Sequence, residues 1–200
     1  MSQSSFKDLA KAVHEKNVAK VKRLMKLGGS VISPSADYTL FHVCAQHGYA
    51  DMIKALSTSK AYVNYAVNDG ATPVYIAADN GHADAIKALC ALGADVNIPD
   101  KDGATPVFIA AYKGHVDAIK ALCAFKADVN IPNKDGSTSL HVAAQEGHVY
   151  AIEALCAFKA DANISDKDGA TPVYVAAHNG HVDAIKALCA VGADVNIPNK

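Results

Sequence analysis

Apolar positions along the chain occur in short groups with helical spacing. In residues 102–132, small and apolar side chains fill positions 107–111, and a second apolar group runs from 116 to 123 at the i, i+3 spacing of an amphipathic helix. Gly114 and His115 separate the two groups, and an extended run ending in a proline closes the segment. The pattern predicts two short helices joined by a turn.

This segment is one copy of a repeat. Close copies begin at Asp69, Asp135 and Asp168, which gives a period of 33 residues, and a weaker copy begins near Asp37. A period of this length is typical of a stacked array in which each copy packs only on its neighbours. We expect an all-α repeat solenoid that forms one domain over residues 1–200. The six expected units are residues 4–36 (an N-terminal cap), 37–69, 70–102, 103–135, 136–168 and 169–200.

Local signals predict where each helix begins. In the fourth unit, Asp102 and Gly103 form a tight turn, and Thr105 is placed to cap a helix with its hydroxyl. Pro106 then falls at the first helical position, where its missing N–H costs nothing. Asp117 falls in the first turn of the next helix, where its charge suits the helix dipole.

The first unit differs from the others in its charge. Leu9, Val13 and Val21 mark apolar faces, but residues 1–36 hold seven Lys or Arg against two acidic residues. A terminal unit covers the core on one side only, so its other side must be polar. The basic face is either a solvated cap or a docking patch for an acidic partner. A turn-rich joint at residues 33–37 leads to the second unit, which is the least regular because Ser57–Thr58–Ser59 replaces apolar residues.

Composition narrows the class of protein. The net charge of −1 argues against a general nucleic-acid binder, and no apolar run is long enough to insert into a membrane. The N-terminus has no apolar signal-peptide core. Four cysteines (Cys90, Cys123, Cys156 and Cys189) occupy one slot of successive copies, roughly 10 Å apart by helix spacing, too far for a disulfide. We expect free, buried thiols and an intracellular, cytoplasmic location.

The residues that recur from copy to copy resemble the signature of a known protein family. In the third unit they are Gly70, Thr72, Pro73, Ala77, Ala78, Gly81 and His82, followed by the run from Gly93 to Asn97. This pattern resembles the ankyrin repeat over essentially the whole chain. The resemblance implies two antiparallel helices and a projecting β-hairpin per repeat, stacked into a curved solenoid whose concave groove binds partner proteins.

The chain departs from the family pattern at two slots. The family histidine is kept at His42 and His141 but is replaced by Tyr75, Phe108 and Tyr174, where we expect packing between stacked rings in place of a polar contact. The family glycine after the second helix is kept at Gly93 and Gly192 but becomes Lys126 and Lys159. A lysine in that left-handed position should cost of order 1 kcal/mol.

The resemblance also raises a modification. Ankyrin repeats are targets of an asparaginyl hydroxylase at the Asn eight residues after a Leu. That spacing is met at Asn97, Asn130, Asn163 and Asn196. The interpretation we favour is that these asparagines hydrogen-bond the hairpin turn.

No catalytic, cofactor or metal site is predicted. The same position of successive repeats is histidine in four cases: His82, His115, His148 and His181. Successive repeats are roughly 10 Å apart, so these side chains cannot all bind one metal ion. They are interpreted as structural residues at helix starts. The chain has no phosphate-binding glycine loop and no nucleophile motif. An active site needs different residues converging at one place, which a symmetric array does not supply, so we expect no enzyme.

The copies differ most at the two positions before the mid-repeat glycine. Core slots barely change, so this variation marks a solvent-facing stripe at the end of each first helix, which in the family lines the groove. The predicted partner-binding residues on these helix ends are Gln46, His47, Asp79, Asn80, Tyr112, Lys113, Gln145, Glu146, His178 and Asn179. Those at the hairpin tips are Tyr38, Asn68, Lys101, Lys134 and Lys167.

These features predict a non-catalytic scaffold that binds a partner protein through its groove and hairpin tips. One alternative is a regulatory or targeting module cut from a larger enzyme or channel, and another is a spacer that binds nothing. The last copy, residues 169–196, is as apolar as the interior copies. We therefore expect a truncated array whose uncapped C-terminal unit associates end to end.

Overall fold

The computed structural model describes residues 3–33 and 38–198, so most of the predicted joint at 33–37 lies outside the described residues. Twelve α-helices and one short 3-10 helix, Ser57–Tyr62, follow one another along these residues. The helices are α1 (Gln3–His14), α2 (Val18–Lys26), α3 (Leu40–Gln46), α4 (Ala50–Ala55), α5 (Pro73–Asp79), α6 (Ala83–Ala91), α7 (Pro106–Tyr112), α8 (Val116–Ala124), α9 (Ser139–Gln145), α10 (Val149–Ala157), α11 (Pro172–His178) and α12 (Val182–Ala190).

The helices form two layers. Each odd-numbered helix packs on the next even-numbered helix, and these pairs stack in chain order. Helices α3, α5, α7, α9 and α11 contact one another in sequence and form the first-helix layer, whereas α4, α6, α8, α10 and α12 form the second-helix layer. The predicted all-α repeat solenoid is confirmed.

The core lies between the two layers and repeats from pair to pair. Its fully buried large side chains include Ile86, Leu89, Ile119, Leu122, Ile152 and Leu155. At the N-terminal end, Leu9, Val13 and Val21 are completely buried, while Lys22 and Arg23 are exposed, as a cap requires. The cap is thus apolar on the side that packs and basic on the side that faces solvent.

The predicted helix signals are confirmed in the fourth copy. The Thr105 hydroxyl accepts a hydrogen bond from the Phe108 amide at 3.4 Å, Pro106 is the first residue of α7, and Asp117 lies in the first turn of α8. In the second copy the predicted irregularity also appears. Helix α4 has only six residues and gives way to the 3-10 helix, in which Ser59 adopts non-helical φ and ψ angles.

The projecting segments differ from the implied β-hairpins. They are turns, and among the described residues the only β-bridge joins Ile32 to Thr39. Backbone hydrogen bonds join neighbouring turns directly. The Lys101 amide donates to the Asp69 carbonyl at 2.8 Å, and Lys134 and Lys167 donate in the same way to Asp102 and Asp135. One bond per junction links the turns without building a sheet.

Two expectations about side chains are wrong. The described rings of Tyr75, Phe108 and Tyr174 do not stack on one another, although Tyr174 does stack on the His178 ring of its own helix at 6.3 Å. The Tyr75 hydroxyl instead donates to the Asp100 carboxylate at 2.9 Å, so at this position a polar contact is kept with a different donor and a different acceptor. Burial, followed by this carboxylate, raises the pKa of Tyr75.

The cysteine slot is also less buried than expected. All the cysteines are free, but Cys123 and Cys156 are only half-buried. Cys189 is exposed, because no further described helix pair packs against α12. Burial raises the pKa of the Cys90 thiol to about 12 and that of Cys123 to about 11, so these thiols stay protonated.

Candidate functional site

The variable positions lie at the ends of the first-helix layer. Helices α3, α5, α7, α9 and α11 end at the first residue of each predicted pair, and the second residue is the C-cap. All ten residues are exposed except Asp79, which is half-buried. Because these helices stack in order, the ten residues form one continuous row, which we call the helix-end row.

Side chains of the helix-end row contact one another between copies. Lys113 Nζ lies 4.0 Å from Asp79 Oδ1 of the preceding copy and 5.4 Å from the centre of the Tyr112 ring. At the next position, the Gln145 amide donates to the Glu146 carboxylate at 3.0 Å. The row therefore has an aromatic and cationic centre with carboxylates on both sides.

The predicted tip residues lie apart from the helix-end row. Lys101, Lys134 and Lys167 are exposed at the turns that precede the first helices, and Tyr38 packs edge-on against the Phe6 ring at 6.4 Å. Asn68 is also exposed. A seven-residue helix is about 10 Å long, so the tips and the helix-end row are two parallel rows at that separation.

A ladder of histidines fixes the backbone of the helix-end row. The Nε2 atoms of His82, His115, His148 and His181 donate to backbone carbonyls one copy earlier, those of Gln46, Asp79, Tyr112 and Gln145, at 3.2, 3.1, 3.1 and 2.8 Å. The same histidines are the N-caps of α6, α8, α10 and α12, which confirms the interpretation as helix-start residues. Their constant spacing to the variable positions was the signal that sequence reasoning missed.

The histidine ladder leaves the variable side chains free to differ. Each bond uses the carbonyl oxygen of the variable residue and makes no demand on its side chain. The backbone position is therefore set by an unchanging residue of the next copy, while the side chain can change without loss of that bond.

A second ladder joins the turns through asparagines. Asn130 Oδ1 accepts from the Asp161 amide at 2.9 Å, and its Nδ2 donates to the Lys159 carbonyl at 3.3 Å. Asn64 and Asn97 make the same pair of bonds, although sequence reasoning did not single out Asn64. Asn97, Asn130 and Asn163 hydrogen-bond a turn, as we favoured, but the turn is that of the next copy, whereas Asn196 bonds Asp194 of its own turn.

Two histidines are buried beneath the tips. The His42 Nδ1 atom accepts from the Thr39 amide at 3.1 Å, and Nε2 donates to the Ala71 carbonyl at 3.4 Å. His141 makes the equivalent bonds to Thr138 and Ala170. Burial lowers the pKa of His42 to about 4 and lowers that of His141 as well, so both rings are held neutral.

Within residues 3–33 and 38–198, no three His, Cys, Asp or Glu side chains come close enough together to hold a metal ion. No helix in this part of the chain is both long enough and apolar enough to cross a membrane.

Comparison with protein families accounts for the repeat. The family described as ankyrin repeats (3 copies) matches at residues 9–100, 41–133, 92–166 and 108–199, which overlap to cover nearly the whole chain. A search of curated proteins finds no match. With the stacked helix pairs and the histidine and asparagine ladders, these matches show that the chain belongs to the ankyrin repeat family.

Proposed function

We propose that this chain is a non-catalytic scaffold that binds a partner protein through the helix-end row and the neighbouring tips. Ankyrin repeats are generally protein–protein interaction modules and are typically non-catalytic. The observation that carries the proposal is that the backbone of the row is fixed while its side chains vary. The histidine ladder holds the backbone of the row constant, while the side chains of the row, all exposed except that of Asp79, differ between copies.

A rigid row favours binding in a direct way. Association costs free energy for every side chain and loop that must become ordered, and a backbone that is already fixed avoids part of that cost. Tyr112 is 38% exposed at the centre of the row, and exposed aromatic residues are enriched among binding hot spots. Lys113 lies against its ring and adds a charge. We therefore place the strongest partner contacts at these two residues.

The test is the double variant Tyr112→Ala with Lys113→Ala. The intact chain and the variant are used as bait in parallel captures from a lysate of the source organism, and retained proteins are compared. We expect the partner to be retained by the intact chain and lost with the variant. Thermal unfolding should stay the same within about 0.5 kcal/mol, as is usual for surface substitutions.

The matched control is Asp117→Ala with Lys120→Ala. These residues are exposed in the paired helix α8 of the same copy but lie in the second-helix layer. The control should keep the partner. Retention by the Tyr112/Lys113 variant, or equal loss with both variants, contradicts the proposal.

We also propose that the last helix pair associates with a second copy of the chain. Val195 is 62% exposed, whereas Val129, its counterpart two copies earlier, is 3% exposed. Tyr174, Val182 and Val191 of the last helix pair and its C-cap are exposed as well. Burying this apolar face would stabilise an end-to-end contact. Small-angle scattering over a concentration series should show growth in mass, and a constant monomer mass at high concentration contradicts the contact.

We infer an intracellular, cytoplasmic location from the thiols. The cysteines are all free, including the exposed Cys189, and free thiols are typical of reducing compartments. Fractionation of source cells with an antibody to the chain tests this inference, and recovery from an oxidising compartment contradicts it.

A further inference from the structure

The outer surface of the second-helix layer repeats one charge pattern with a single exception. Helices α4, α6 and α12 each carry an exposed Asp and a Lys three residues later, and the two side chains form an ion pair. The pairs are Asp51–Lys54 at 3.2 Å, Asp84–Lys87 at 3.0 Å and Asp183–Lys186 at 2.9 Å. Helix α8 has the same residues, Asp117 and Lys120. Every one of these helices is therefore neutral at these slots.

Helix α10 breaks this pattern at both slots. Tyr150 replaces the aspartate and Glu153 replaces the lysine, so the local charge becomes −1. Tyr150 is 76% exposed, and its ring contacts no other aromatic ring of the described residues. Glu153 is exposed and forms no ion pair within the described part of the chain. Among these helices, α10 alone presents an exposed aromatic ring and a carboxylate that forms no ion pair with the described residues.

An apolar cleft lies directly beside Tyr150. It has a volume of about 260 Å³ and opens between the turn at Gly114 and the turn at Gly147. Val116 and Val149 form its walls, and both are half-buried. The valine walls of the cleft can pack against an aliphatic stem, and His148, which also lines the cleft, already uses its Nε2 atom to bind the Tyr112 carbonyl.

We propose that Tyr150, Glu153 and this cleft form a second docking surface, which binds an arginine or lysine side chain on a segment of a partner protein. The aliphatic stem packs on the two valines, since long basic side chains bury their stems and keep the charge outside. The cation lies over the Tyr150 ring and near the Glu153 carboxylate. Residues three apart on a helix lie on the same face, so the Tyr150 ring and the Glu153 carboxylate contact the same cation.

The electrostatics favour a cation over an anion. The first turn of α10 carries no acidic residue, and a bare helix N-terminus attracts negative charge. That attraction comes from a partial charge and fades within one turn, whereas Glu153 carries a full charge at the fifth residue of the helix. An acidic ligand would therefore meet repulsion where a basic one meets an ion pair.

The chain itself supplies the matched variants. Tyr150→Asp with Glu153→Lys gives α10 the slots of α8 and removes the surface without new chemistry. Asp117→Tyr with Lys120→Glu makes the reverse exchange and should create a second copy of the surface on α8. Both exchanges keep residues that this fold already carries at these slots, so the fold should be preserved.

The experiment titrates the full ¹⁵N-labelled chain with a capped alanine-based peptide carrying arginines four residues apart. A peptide with glutamates at the same positions is the second probe. We expect amide shifts centred on Tyr150 and Glu153 with the arginine peptide, and about tenfold weaker binding by the Tyr150→Asp/Glu153→Lys chain. The reverse variant should show a second set of shifts on α8.

The helix-end row provides a further distinction. Binding of the arginine peptide should be the same in the Tyr112→Ala/Lys113→Ala chain, because that row lies in the other layer. Equal affinity of the intact chain and the Tyr150→Asp/Glu153→Lys chain overturns the proposal. So does preference for the glutamate peptide, or a set of shifts confined to the helix-end row.

Discussion

The His148 imidazole donates a hydrogen bond from Nε2 to the backbone carbonyl of Tyr112 at 3.1 Å. The two residues belong to neighbouring copies and are 36 positions apart. His148 opens α10 as its N-cap, and Tyr112 closes α7. A residue of the second-helix layer thus holds the end of a first helix in the preceding copy, at the position where partner contacts are proposed.

Removing this histidine should destabilise the array. In His148→Ala the Tyr112 carbonyl loses its partner, and the ring that packs over Gly114 is lost. We expect the free energy of unfolding to fall by about 1–2 kcal/mol, measured by urea titration. Tyr112→Ala is the control. It keeps the carbonyl and should change stability by less than about 0.5 kcal/mol. Equal losses would show that the bond does not carry the effect.

Acid should destabilise the fold through its buried histidines. The pKa of His42 is about 4 in the folded chain against an ordinary value of 6.5, and that of His141 is lowered too. As pH falls from 6.5 towards 4, these histidines become protonated in the unfolded chain but stay neutral in the folded chain. Stability is therefore full above pH 6.5 and falls by up to about 1.4 kcal/mol per pH unit for each histidine.

The matched variant for this pH dependence is His141→Phe, because Phe108 already fills the same slot of the preceding copy. Its stability at pH 7.5 should be lower, since the bonds to Thr138 and Ala170 are lost. Its decline between pH 6.5 and 4.5 should be shallower. Parallel curves for both proteins would rule out His141 as a source of the acid sensitivity.

Replacing the left-handed lysines by glycine should stabilise the chain. Lys126 has a φ angle of 67°, and this left-handed conformation costs a residue with a side chain about 1–2 kcal/mol of folding free energy. Glycine avoids that strain, but its greater freedom in the unfolded chain offsets about 0.4–1 kcal/mol of the gain. Lys126→Gly should therefore gain about 0.5–1 kcal/mol in thermal unfolding. Gly93→Lys is the reverse control. No atom lies within 4 Å of a Cβ there, so it should lose a similar amount.

The asparagine ladder should matter only where a following turn exists among the described residues. Asn130→Ala removes two bonds to the next copy and should cost about 1–2 kcal/mol. Asn196 is the equivalent residue of the last copy, and within the described part of the chain its side-chain amide donates only to Asp194 of its own turn. Asn196→Ala should cost less than about 0.5 kcal/mol by the same urea titration. A similar cost for both variants would contradict a role in joining copies.

The repeat itself made most of the fold predictable. Thr105, Pro106 and Asp117 act locally, and their effects on helix ends follow from chemistry that needs no knowledge of neighbours. The positive φ angles of Lys126 and Lys159 could also be predicted, because a residue that follows the end of a helix commonly adopts the left-handed conformation. The family resemblance did imply hairpins that the structure replaces by turns, since a single bond per junction does not make a ladder.

What sequence reasoning missed depends on contacts between copies. The partners of His148 and Asn130 are 36 and about 30 positions away, and no local signal identifies them. Tyr75 shows the same limit. Its hydroxyl reaches Asp100, a residue whose importance is visible only once the copies are stacked. The helix-end row could be predicted as exposed, whereas its fixed backbone could not.

The bonds that join the copies also bear on how such a chain can change in length. Each junction uses the same donors and acceptors: a turn amide, an asparagine and a histidine, each reaching a fixed distance along the chain. Insertion or deletion of whole copies brings the same three kinds of donor and acceptor together at the new junction. A shift by any other number of residues breaks all of these bonds. The structure therefore permits gene duplication in steps of one repeat, and each step adds a new pair of helix-end side chains on which selection can act.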